Sequence, residues 1–173
     1  MRTARELLSQ YAAYHRDRRN IATHFVGIPL IVFSVAELLA RLSLSGQDPR
    51  LSAATLMWVL TTIFYLSRHL VVGIATSAAI GLAVWLGHSY AAAPFSTWLS
   101  IGVGCFVIGW IIQFVGHYFE GKKPAFVDDV IGFLIGPMFV VAEVLFALGL
   151  CGDLAEHIES TAGPTIVRDL RRA

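Results

Sequence analysis

The 173-residue chain is 56% hydrophobic and only 14% charged, a balance that excludes an ordinary soluble domain and points to a protein built into a bilayer. Its net charge of +1 gives no basis for nucleic-acid binding or for any partner held by bulk electrostatics. Cys105 and Cys151 both lie in apolar surroundings, which argues against a disulfide scaffold or a Cys-rich metal site.

Residues 1–19 carry Arg2, Arg5, Glu6, Arg16, Asp17, Arg18 and Arg19 ahead of any long apolar run. They lack the apolar stretch of a cleaved signal peptide, so the spans themselves are expected to direct insertion. Five apolar blocks follow, at 25–40, 51–67, 70–87, 94–116 and 130–150, against the roughly 20 helical residues needed to cross a hydrocarbon core. The fourth block has no charged residue in 23 positions and the third none in 18, with Trp85 near one end, where an interfacial aromatic is favoured. The first holds Pro29 and Glu37, and the fifth Gly136, Pro137 and Glu143, so either is a candidate to kink or to turn back without crossing. Arg68 and His69 interrupt the run between the second and third blocks, as in a tight hairpin. The predicted fold is all-α: a polytopic membrane helical bundle of four to five apolar helices, one re-entrant. A single membrane-embedded domain is expected over 1–150, with a polar tail over 151–173.

Basic clusters orient such a chain. Arg16, Arg18 and Arg19, then Arg68, then Lys122 and Lys123 share one face if every block crosses, whereas Arg168, Arg171 and Arg172 then fall opposite. Four crossings, with one block re-entrant, place all four clusters together.

Six histidines stand out in so apolar a sequence, because imidazole is a common metal ligand that titrates near neutrality. His15 and His24 bracket Asn20 where the chain enters its first apolar block. On an unbroken helix nine residues turn through about 900° and put the two rings on opposite sides, so sharing one ion requires a break, which Asp17 or Asn20 can supply as a helix cap. Asn20 and His24, at i and i+4, share a face, and so do Gln113, His117 and Glu120 at spacings of four and three. His117 and Glu120 also fit a plainer reading as interfacial groups reaching for headgroups. His88 ends the third block, whereas His69 beside Arg68 and His157 in the polar tail read as surface residues. Glu37 and Glu143 are expected to face the bundle interior, because a carboxylate at bilayer depth costs roughly 2.5–3.5 kcal/mol unless it is neutralised, paired or hydrated.

Taken in order, Tyr14-His15, Asn20, His24 and Pro29, then Leu86-Gly87-His88, then Gly109-Trp110, Gln113-Phe114-Val115-Gly116-His117, Phe119-Glu120, Pro124-Ala125, Asp128, Gly136-Pro137 and Glu143 resemble the membrane-bound 2-hydroxy fatty acid dioxygenase family. That family acts in the one-carbon shortening of 2-hydroxy acids during phytosphingosine breakdown. The resemblance runs from about Tyr11 to Leu150. It departs from the family pattern at Asp128-Asp129, where Asp-Asn is usual, and at Tyr118, where a glycine usually follows the histidine.

The resemblance implies an Fe(II) enzyme that uses molecular oxygen on a long-chain 2-hydroxy fatty acid. It implies His15, His24, His88 and His117 as metal ligands, with Glu120, Asn20 and Gln113 as catalytic residues beside them. A simple crossing count, however, puts His88 on the face opposite the other three, about 30 Å away. An integral, multi-pass location is expected, in the inner membrane of a bacterium or the endoplasmic reticulum of a eukaryote. Two alternatives remain open. One is another membrane lipid hydroxylase or desaturase, although no His-x-x-His-His box is present; the other is a small proton-coupled transporter using Glu37, Glu143 and the histidines.

Overall fold

A computed structural model describes residues 2–46, 48, 50–125, 129 and 131–170; Asp128 and the tail arginines Arg171 and Arg172 lie outside them. Among the described residues the chain forms seven helices and no strand: α1 (Ala4–Ala12), α2 (Arg18–Ala40), α3 (Ala53–Arg68), α4 (Leu70–Ala91), α5 (Phe95–Glu120), α6 (Gly132–Ala147) and α7 (Gly152–Ala162). Three of these, α2, α4 and α5, are long and apolar enough to cross a membrane, and α6 with α7 form a pair bent by 116° that makes a fourth candidate. The all-helical membrane fold predicted from hydropathy is therefore present, with a bent element near its end. The chain divides into two compact units, one holding residues up to Ile28 and from Ile111 onward, the other Pro29–Trp110. The division falls within α2 and within α5.

In the first unit, α1 opens on a capping box, Thr3 accepting from the Glu6 amide while the Glu6 carboxylate accepts from the Thr3 amide, which satisfies donors a helix start leaves unpaired. Its apolar stripe of Leu7, Leu8, Tyr11 and Ala12 is buried. The chain then breaks over 13–17, and Asp17 begins α2 by accepting from the Arg19 amide at 2.8 Å, the capping role its position predicts. Neither Pro29 nor Pro137 ends its helix. The bend comes instead after α6, where Gly149 at φ +77 and Cys151 at φ +56 reverse the backbone in the left-handed region that suits glycine. At 16 residues α6 reaches only about 24 Å, short of a full crossing.

In the second unit, α3 and α4 make the predicted hairpin around one residue. His69 is extended and caps α4, its side chain accepting from the Val72 amide, so its surface reading becomes a structural one. The two helices touch closely: a Cβ on Gly73 would lie 2.7 Å from the Tyr65 carbonyl, and Trp58 Nε1 donates to Ser77 O at 2.8 Å. Ile63, Leu70, Ile74 and Trp85 face outward and exposed, as residues bathed in lipid do rather than residues facing water. Glu37 is fully buried in this unit, and its carboxylate has no hydrogen-bond partner among the described residues; Glu143, in the first unit, is half-buried. Both acids thus avoid the outer face, as expected.

Candidate metal centre

The break before α2 solves the geometric problem posed by the nine-residue spacing. His15 projects from the irregular segment 13–17 and His24 from the second turn of α2, and their Nε2 atoms stand 3.0 Å apart. His117, from the last turn of α5, joins them with ring centroids 5.0 Å from His15 and 5.2 Å from His24. One nitrogen from each of the three rings lies within 4.8 Å of the other two, and all three residues are buried. The structure does not bring the fourth predicted ligand, His88, to this group. It stands in the other unit at the end of α4, with Nδ1 on Val84 O at 2.8 Å and Nε2 on Ser52 Oγ at 3.1 Å.

The hydrogen bonds fix how the two close rings are protonated. His15 Nδ1 lies 2.7 Å from Tyr11 O and His24 Nδ1 2.9 Å from Asn20 O. A carbonyl only accepts, so each Nδ1 carries the proton and each neutral ring turns an Nε2 lone pair toward the other. Burial, reinforced by the neighbouring His24, holds the His15 imidazole well below its ordinary value, so it stays neutral at physiological pH. Two lone pairs at 3.0 Å repel each other unless a cation lies against both. The separation fits, because nitrogens bound at a right angle about 2.1 Å from one ion stand about 3 Å apart. His117 adds a buried Nδ1 without a hydrogen-bond partner among the described residues. Carbonyls on the far nitrogens of His15 and His24 are the usual outer partners that orient metal-binding imidazoles.

Glu120 and Asn20 build the frame. The Glu120 carboxylate, buried at the end of α5, accepts from the amides of Arg16 and Asp17 at 2.8–3.1 Å and from Asn20 Nδ2 at 3.1 Å. These bonds all go to the segment carrying His15 and to the first turn of α2, so Glu120 ties the ends of α2 and α5 to that segment. Lys122 adds a bond from Nζ to Ala13 O at 2.7 Å. The N-terminal and post-α5 basic clusters therefore sit side by side, as the charge pattern predicts. Gln113, one turn before His117 on the same face, is 4% exposed, and neither atom of its amide has a partner among the described residues.

A family model described as 2-hydroxy-palmitic acid dioxygenase Mpo1-like matches residues 1–148. The chain belongs to the Mpo1-like family. Among curated proteins, the 2-hydroxy-palmitic acid dioxygenase MPO1 of Saccharomyces cerevisiae is 31% identical over 157 residues, covering 90% of this chain and 87% of that protein. No solved structure matches. All three clustered histidines, with Asn20, Gln113 and Glu120, fall inside the part matched by the Mpo1-like family model, whereas α7 and the segment after it fall outside.

Two parts of the site escaped the sequence reading. One is Tyr11, whose ring stacks on His15 with centroids 4.1 Å apart and planes 7° from parallel; its place four residues before His15 was a usable signal, since a helical carbonyl at that spacing can hold a ring nitrogen. The other is the segment after α7, expected as a polar tail. Ile166 pairs in parallel with the segment before α2, its amide donating to Arg16 O and its carbonyl accepting from the Arg18 amide, both at 2.8 Å. The extended, β-branched run Thr165-Ile166-Val167 after Pro164 was the available hint.

Proposed function

We propose that the chain is an iron(II)-dependent dioxygenase that converts a long-chain 2-hydroxy fatty acid and O2 into the acid one carbon shorter, CO2 and water. The observation that carries the reading is the pair of imidazole Nε2 atoms facing each other at 3.0 Å inside a buried three-histidine cluster, in a chain of the Mpo1-like family. The atoms balance without an outside reductant. The hydroxyl-bearing carbon becomes the new carboxyl carbon, the old carboxyl leaves as CO2, and O2 takes up the electrons.

Imidazole suits Fe(II) among the first-row metals, and a three-histidine set leaves positions open for other ligands. His15, His24 and His117 would hold the ion, which when bound supplies a Lewis-acidic site and the means to activate O2. The protein's own part is to keep three neutral rings in register, through Tyr11 O, Asn20 O and the Glu120 clamp, and to exclude water by burial. The head of the substrate belongs near the basic N-terminal face, where Arg16, Arg18, Arg19, Lys122 and Lys123 attract a carboxylate, and its alkyl chain among the apolar helices. Purified protein loaded with Fe(II) should consume O2 only when given a long-chain 2-hydroxy acid, one equivalent for each shortened acid seen by mass spectrometry. Product formed under strict anaerobiosis, or after complete metal removal, would sink the proposal.

Gln113 is assigned to the substrate head rather than to the metal. A buried primary amide with neither end satisfied is unfavourable, and its place one turn from His117 puts a donor and an acceptor beside the reacting end of the acid. Gln113→Leu preserves size and removes both. It should keep full metal content yet lose about 1–3 kcal/mol of binding, read as roughly a 5- to 150-fold fall in kcat/KM. Unchanged kcat/KM in the leucine variant would refute the assignment.

A further inference from the structure

The segment 163–170 lies beyond the residues that carry the family match, yet Gly163, Thr165, Ile166 and Arg168 are each bonded to residues between Arg16 and Arg19, directly after His15. Besides the paired backbone of Ile166 with Arg16 and Arg18, the Arg168 amide donates to Asp17 Oδ2 at 2.8 Å and Arg19 Nη2 donates to Arg168 O at 2.8 Å. Arg16 Nη1 donates to Gly163 O at 2.8 Å and Arg18 Nε to Thr165 Oγ1 at 3.3 Å. The Arg168 side chain also lies across Gly121, where a Cβ would come within 1.6 Å of its guanidinium. Gly121 has φ +67 and follows Glu120 directly, so the strap touches the exit of α5 as well as the entry of α2. Glu120 grips residues 16 and 17 from one direction through their amides, and Ile166 takes the Arg16 carbonyl and the Arg18 amide.

We infer that residues 163–170 are a positioning strap for His15, setting the ring that faces His24 by fixing the backbone immediately after it. This rests on the metal-centre reading. The segment 13–17 is irregular, and an irregular segment without such bonds samples many conformers, each placing the His15 ring differently. Glu120 fixes the amides of Arg16 and Asp17, and Arg19 holds the Asp17 carboxylate, but the Arg16 carbonyl and the Arg18 amide are left to other groups. The strap supplies these bonds without touching a histidine, so it acts through position and not through chemistry.

Ile166 allows a clean test, because its side chain is 51% exposed while its amide makes the pairing bond. Ile166→Pro deletes that donor, and Ile166→Ala keeps it. In full-length protein titrated with Fe(II) alone, Ile166→Pro should bind about 10- to 100-fold more weakly, the range for a partner that orients a metal-binding imidazole, and Ile166→Ala should match wild type. The metal-free melting temperature should match wild type in Ile166→Ala and fall only slightly in Ile166→Pro, out of proportion to the loss of iron affinity, whereas a merely structural role would move the two together. Hydrogen exchange at the Arg18 amide should accelerate in metal-free Ile166→Pro by about tenfold or more, the effect of losing one hydrogen bond. Arg168→Pro, which removes the donor to Asp17, should reproduce both effects. Wild-type iron affinity in Ile166→Pro overturns the strap. If wild type itself binds no transition metal, the metal reading fails, and the strap then stands with faster Arg18 exchange in the proline variant or falls with unchanged exchange.

Discussion

His24→Ala and His117→Ala should each abolish iron retention and turnover together, with Fe(II) affinity falling by more than the ~100-fold that marks the upper end for an outer partner. His15→Ala should do the same. The opposed lone pairs sharpen this expectation. The His15 and His24 Nε2 atoms face each other at 3.0 Å, a spacing that a cation held between them favours and that deletion of either ring removes. Chelation should therefore lower the melting temperature of wild type markedly, since metal held at 100 times its Kd stabilises by about 2.7 kcal/mol. The same treatment should leave His24→Ala unmoved. His69→Ala and His157→Ala should keep metal and activity, the first because its ring only caps α4. His88→Ala should also keep its metal, because both of its ring nitrogens are taken by Val84 and Ser52. Loss of iron from His88→Ala with retention in His15→Ala would invert the assignment.

The membrane helices were legible because burial in lipid demands long uncharged runs, and α4 and α5 carry nothing else to misread. The break between His15 and His24 was legible too, because a nine-residue spacing cannot place two ligands on one side of a continuous helix and Asp17 offered a cap. Position along the membrane was harder. Pro29 and Pro137 mark places where a helix loses one hydrogen bond, and in a bilayer neighbouring helices can tolerate that, so neither prolines nor hydropathy located the bend that falls at Gly149 and Cys151. His88 is a different case, because motif order alone says nothing of local bonding, and its ring bonds within its own unit to Val84 O and to Ser52 at the start of α3. The strap was illegible because its bonds are mostly backbone to backbone, and such bonds leave almost no mark on side-chain choice.

Gly116→Ala is expected to cost the protein its metal although the residue bears no functional group. Alanine ordinarily stabilises a helix interior by about 0.8–1.0 kcal/mol relative to glycine, so a neutral site in α5 should gain stability from the change. At Gly116 the added Cβ would stand 2.0 Å from Thr23 Oγ1 and 2.5 Å from Asn20 Oδ1, inside any tolerable contact. Neither neighbour is free to yield. Thr23 Oγ1 is bonded to Asn20 O at 2.7 Å, and Asn20 is the residue whose amide meets Glu120 and whose carbonyl holds the His24 ring. Overpacking of this kind costs typically about 1–3 kcal/mol, and here the strain is released by moving the start of α2 away from the end of α5, which separates His24 from His117. Melting temperature and Fe(II) affinity should fall together in Gly116→Ala. Thr23→Ala alone should change little, whereas the double variant Gly116→Ala/Thr23→Ala should recover part of the affinity, because one of the two obstructing atoms is gone and residues in contact couple non-additively. A Gly116→Ala protein that melts higher than wild type and still binds iron would mean that the close approach of α2 and α5 does not set the distance between these histidines.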